Sequence, residues 1–199
     1  MVVDDTPTPY RIALLRVVQR LAPFRLSVVW LSAQAKDKDW RLDSEGLDCH
    51  AVSDHQLYLK GRDIRLQFNW GLGRRLTRLA PDVVVVGGYA LPAYWRCLAF
   101  ARRRGLPLVL WAGTTPASEF SSDGPVRWAK RLFVALCRGF VAYGSGAATL
   151  LRQLGAPEAS IQVVTNTTDM AGLRDQTRRL WDQAPGRGAL RLLATWRLV

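Results

Sequence analysis

Between Pro81 and Thr165 the chain repeats one pattern: a short apolar run, a tip of small or polar residues, then a helical segment. The runs are "PDVVVVGGY", "LPLVLWAG", "GFVAYGS" and "SIQVVTN". Leu91–Arg104, Asp123–Cys137 and "GAATLLRQLG" lie between them, the last closed by Gly155 where a helix C-cap glycine falls. Strands that are apolar throughout and separated by helices form a parallel sheet buried on both faces. The expected fold is therefore α/β, doubly wound and mainly parallel.

The remaining segments are read on the same terms. Val2 and Val3 form a strand stub before "DDTPTPYR", and Tyr10–Leu21 carries apolar residues at helical spacing. "LSVVWL" is a strand and the polar stretch Ser32–Glu45 a loop. Leu47–Val52 and Gln56–Lys60 are short strand candidates, and Ile64–Leu79 reads as a helix interrupted by Gly71 and Gly73. Residues 1–166 are expected to form one domain. A polar helix and linker are expected over 167–189, and 190–199, "LRLLATWRLV", as the first strand of a further domain.

Composition removes several functions. No apolar run reaches the roughly 18–20 residues of a membrane-spanning helix, and the N-terminus carries Asp4 and Asp5 in place of a basic secretion signal, which favours a cytoplasmic location. Cys49, Cys97 and Cys137 are scattered without a CxxC pair, so neither a disulfide framework nor a zinc site is expected. His50 and His55 lack identifiable ligand partners, and no metal site is assigned. The "Asn166-Thr167-Thr168" sequon is treated as chance.

Charge is the loudest compositional signal: 28 basic against 16 acidic residues, net +12. Arginines stand beside aromatics in "FNWGLGRRLTRL", "YWRCLAFARRR" and "VRWAKRLF", a chemistry suited to nucleic acid, phosphorylated substrates or anionic lipid. Solvated helix faces explain any single cluster equally well. No RRM, KH or helix-turn-helix pattern accompanies the charge, so no specific nucleic-acid partner is assigned, and a non-enzymatic basic nucleic-acid-binding protein stays as an alternative function.

In an open parallel sheet, ligands collect outside the carboxyl ends of the strands. Four tips meet that condition: "DDTPTPYR", "GGYALP", "AGTTPASEFSSDG" and "GSG". Thr114, Thr115, Ser118 and Glu119 would present a hydrogen-bonding wall to a polyhydroxyl ligand, with Tyr89, Trp95 and Trp111 supplying aromatic faces. Capping of a turn by the threonines is the competing reading, and Ser121, Ser122 or Asp123 is taken as the cap of the next helix. "GSGAAT" with Asp169 about 20 residues on is superficially a dinucleotide fingerprint. Thr149 replaces its third glycine and the motif opens the wrong βαβ unit, which leaves an NAD- or flavin-dependent oxidoreductase as an alternative. Ser145 lacks the first glycine of GxSxG and no histidine follows it.

Taken in order, "PYR", "PDVVVVGGY", "LWAGTTPASEFS", "KRLF", "GFVAYGS", "LLRQLGAP", "IQVVTNTTD" and "LRLLATWRLV" resemble the N-terminal half of a family 4 retaining glycosyltransferase of the GT-B architecture. That resemblance implies a Rossmann-like acceptor domain facing a second domain that holds the nucleotide-sugar and a pair of glutamates beyond Val199. It implies a nucleotide-sugar co-substrate rather than a cofactor, and an acceptor that is a glycan, a lipid-linked sugar or a small molecule. Asp5, Thr6, Tyr10, Arg11, Gly88, Tyr89, Trp111, Thr114, Thr115, Glu119, Gly144 and Ser145 would line the acceptor side. Pro7 and Pro9 remove amides from the first loop, and no histidine stands near Thr114, so no catalytic residue is assigned. Docking on the inner face of an anionic membrane is implied through Arg127, Trp128, Lys130 and Arg131, or through Arg102 to Arg104. The fragment alone is expected to transfer no sugar.

Overall fold

The computed structural model describes residues 1–32, 46–59, 64–119, 124–165 and 170–183. The chain divides into two compact units, Met1–Thr168 and Asp169–Val199. In the first unit β1 (Val2–Asp4), α1 (Pro9–Leu21), β2 (Ser27–Trp30) and β3 (Asp48–Ala51) come first. A ribbon of β4 (Ser53–Leu59) and β5 (Ile64–Trp70) follows, then α2 (Leu72–Leu79), β6 (Val84–Val86), α3 (Pro92–Arg104) and β7 (Leu108–Ala112). The unit continues through α4 (Gly124–Ala135), β8 (Gly139–Tyr143), α5 (Gly144–Gln153) and β9 (Ile161–Val164). The second unit contributes α6 (Met170–Gln183), inside the stretch expected to be a helix and linker. The strand expected at 190–199, the sequon, the 33–45 loop and the Ser121–Asp123 cap lie outside the described residues.

Seven strands form one sheet in the order β3-β2-β1-β6-β7-β8-β9, and every pairing is parallel. The doubly wound expectation holds. Strand alternation divides the side chains between two faces. On one, Val3, Val84, Val86, Leu108, Leu110, Phe140 and Ala142 are buried under α2, α3, α4 and α5. On the other, α1 covers Val2, Val28 and Trp30 with Ile12 and Leu15, while Val85 and Trp111 are only partly buried. Strand order reverses beside β1, whose neighbours are β2 and β6, so the switch point, where sheets of this kind hold ligands in a crevice, lies at the carboxyl ends there.

One segment departs from expectation. Ile64–Leu79 is not a single helix: β5 pairs antiparallel with β4, Ser53 opposite Trp70 and Leu59 opposite Ile64, and only Leu72–Leu79 is helical. "IRLQFNW" alternates apolar and polar residues with period two, and Gly71 at φ +85° turns the strand into the helix. Ile64, Phe68, Leu72 and Leu76 also recur every four residues, which mimics a helical stripe across the break. The Arg102–Arg104 run has a local role as well, as the last turn of α3 before Gly105. Cations there complement the helix dipole.

Candidate functional site

The crevice floor is built where β1 ends. Asp4 is 7% exposed and Arg11, in the first turn of α1, is 9% exposed. Arg11 Nε lies 2.8 Å from Asp4 Oδ2. The guanidinium also donates from Nη1 to the Tyr143 hydroxyl and stacks 4.0 Å from the centre of the Trp111 ring. Trp111 and Tyr143 meet with ring centroids 5.4 Å apart. Asp4 Oδ1 accepts the Asp5 N–H at 2.9 Å, and Tyr94 of α3 also bonds this carboxylate. Gly87, just past β6, makes this possible, since a Cβ there would fall 2.1 Å from Asp4 Oδ1. One interlocked cluster thus joins the tips of β1, β6, β7 and β8.

Burial governs its electrostatics. It raises the Asp4 carboxyl above the ordinary carboxylate value, and the Arg11 charge with the Asp5 and Tyr94 hydrogen bonds offsets only part of the rise. The Tyr143 phenol is pushed up to about 12, again by burial first. Arg11 is therefore a locked cation inside the floor, not a free arm reaching for substrate.

Above the floor, most of the other residues expected at the site lie around the same tips, and several of them have local structural partners. Tyr10 and Ser145 are exposed, and Asp5, Thr6, Gly88, Tyr89, Thr114, Thr115 and Gly144 are half-buried around the same four tips. Tyr89 packs its ring on Phe133, and its carbonyl accepts the Trp95 indole N–H at 2.9 Å. Burial raises the Tyr89 phenol above 10, with the nearby Thr114 hydroxyl pulling it down and the Glu119 charge adding to the rise. Thr115 forms a reciprocal cap with Ser118: its amide donates to Ser118 Oγ at 3.0 Å, and its hydroxyl accepts the Ser118 N–H. The capping alternative accounts for Thr115.

Two assignments need correction. Glu119 does not offer its carboxylate to the crevice, because its side chain is 4% exposed and its Oε1 lies 2.8 Å from Lys130 Nζ. Lys130 accordingly is not a surface cation; it turns inward to hold the β7 tip against α4. The outward face of α4 carries Trp128, 66% exposed, with Arg131 and Leu132, while Arg127 is half-buried at its flank.

Sequence reasoning missed Asp4, Tyr94 and Tyr143. The one local signal was an acidic residue directly after two buried valines, with a basic residue in the first turn of α1. Among the described residues no group of three His, Cys, Asp or Glu is placed to hold a metal ion, and no described helix is long and apolar enough to cross a membrane.

The parallel sheet, with its strand order reversing beside β1, is a Rossmann-like fold of the kind found in one half of the solved GT-B structures it resembles. The chain belongs to the glycosyl transferase 4-like domain family, whose model matches residues 10–167. Among solved structures it is similar to HepE of Anabaena in complex with UDP and glucose. The two share 14% identity and a TM-score of 0.56 over 90% of this chain and 49% of that one. It is also similar to UDP-N-acetylglucosamine 2-epimerase from Rickettsia bellii, at 14% identity and TM-score 0.53 over 92% of this chain and 49% of that one. The S. aureus MnaA–UDP structure aligns at 17% identity and TM-score 0.54, over 81% and 43% respectively. The chain spans about half the length of these proteins. No curated protein sequence matches it.

Proposed function

We propose that this chain is the acceptor-binding half of a retaining glycosyltransferase that takes its sugar from a nucleotide-sugar. The observation that carries the reading is the convergence of four adjacent strand tips on one crevice, in a chain of the glycosyl transferase 4-like family. The UDP in the HepE and MnaA structures supports a nucleotide-sugar donor. The fold is shared with epimerases, so the choice of transfer over epimerisation rests on the family match. Family membership likewise favours transfer over the dinucleotide-dependent oxidoreductase and the basic nucleic-acid binder.

Thr114 and Ser145 hydroxyls, backbone amides near Gly88 and Gly144, and the Tyr89 and Tyr10 rings supply directed hydrogen bonds and flat faces for a sugar. Their part is to hold an acceptor hydroxyl against the anomeric carbon of a donor seated opposite, on the face the nucleotide leaves. Orientation of this kind lowers the barrier without a strong base, because the departing phosphate takes the proton. The Asp4–Arg11–Tyr143 floor keeps the tips in register. A lipid-linked acceptor would be met at a membrane surface, with the Trp128–Arg131 face of α4 against anionic headgroups.

The test is a transfer assay with radiolabelled nucleotide-sugars and carbohydrate acceptors. The purified chain is expected to bind acceptor and leave the donor untouched. Turnover by this chain alone, or binding of NAD(P) in preference to a nucleotide-sugar, contradicts the reading.

A further inference from the structure

A parallel sheet is ordinarily buried on both faces, yet here α1 stops over β1 and β2, and Val85, Trp111 and Val141 on the same face stay half-exposed. Between this row and α1 lies a cavity of about 720 Å3. Its walls are the side chains of Val2, Leu15, Val18, Val85, Trp111 and Val141. Arg25, Arg78 and Asp82 line it too, beside the residues where β1, β2 and β6 begin, the end of the sheet opposite the crevice. The volume falls within the roughly 300–1,000 Å3 of small-molecule sites. Trp111 adds one polar feature: its indole N–H is buried and meets no acceptor among the described residues.

We propose that this cavity binds a single-chain anionic amphiphile. Its hydrocarbon chain lies along the β6–β8 row, and its carboxylate or phosphate head sits among Arg25 and Arg78. The chemistry excludes the simpler occupants. A free sugar seated along the row meets Val2, Leu15, Val18, Val85 and Val141, with the charged groups only at one end, so most of its hydroxyls would be buried unpaired. A neutral hydrocarbon leaves the exposed Arg78 at the mouth without an anion. A second copy of the chain would set one +12 molecule against another. Arg78 is the exposed cation that defines the head site; Arg25 is already 3.2 Å from Asp48 and contributes less. The site is separate from the acceptor crevice, although Trp111 belongs to both: Arg11 stacks on its ring while the same indole lines the cavity. The inference does not depend on which reaction the crevice serves.

The probe is dansyl-labelled undecanoic acid, titrated into the full 199-residue chain and competed with palmitate and with methyl palmitate. One site per chain is expected, with palmitate displacing the probe more strongly than its methyl ester. Val141→Phe and Val85→Phe, which fill the row from two strands, should each weaken the probe by about tenfold or more. Near-UV circular dichroism checks that at least one of them keeps the native packing. Arg78→Glu should weaken palmitate but leave methyl palmitate unchanged. Probe affinity indifferent to both filling variants overturns the proposal, and so does equal competition by acid and ester. A dimer by light scattering that either filling variant dissociates would mean that a second copy covers this face instead, and also overturns it.

Discussion

Arg11 occupies the first turn of α1, where the helix dipole disfavours a cation, and it is nevertheless buried. Asp4 makes this tolerable, and the balance between them is testable through pH. Burial outweighs the Arg11 attraction, so the folded-state pKa of Asp4 lies above its unfolded value. A carboxyl of that kind favours the fold most while protonated, and its contribution is lost as pH rises through the folded pKa. Asp4→Asn removes this titration and leaves the Arg11 charge constant. Denaturation from about pH 4 upward should therefore show wild type losing stability relative to Asp4→Asn as the pH rises. A relative gain would mean that the ion pair outweighs burial. Lys130 offers a second test at this scale. Lys130→Met strands the Glu119 carboxylate, and urea denaturation should register a loss of about 3 kcal/mol. Adding Glu119→Gln should recover most of it; a cost below about 0.5 kcal/mol for Lys130→Met would place the pair among weak surface bridges.

Helix α4 shows how one element divides its work. Phe133 and Val134 anchor it to the core, Lys130 holds the β7 tip, and Trp128, Arg131 and Leu132 face solvent. Arg131→Glu should reduce flotation with anionic vesicles by about tenfold while leaving thermal stability nearly unchanged. Equal binding of wild type to neutral and anionic vesicles would count against the surface. The run "VRWAKRLF" announces a basic amphipathic helix, but not its rotation about its own axis; that is set by Phe133 and Val134, so Lys130 could not be told from Arg131 in advance. Strands β6 to β9 were legible because each is an apolar run bounded by glycine, proline or polar residues. The β5–α2 segment was not, since two periodicities overlap across Gly71. Tips carrying Thr114 and Ser145 were legible by position. The Asp4–Arg11–Tyr143 lattice was hidden because its members, up to 132 residues apart in the Arg11–Tyr143 bond, become neighbours only when four strands align.

For the whole molecule, the parallel order β1-β6-β7-β8 is what brings four separate tips side by side at one end of the sheet. If the tips form the proposed acceptor site, a sugar held at the β7 tip must also be felt at β6 and β8. Amide spectra of the 15N-labelled chain, recorded while a panel of mono- and disaccharides is titrated in, read this directly. For at least one sugar, the amides of Tyr89, Thr114 and Ser145 should shift together and saturate with a single dissociation constant. Shifts that saturate at different concentrations on the three tips, or that appear only at the amino ends of the strands, would contradict a common acceptor pocket.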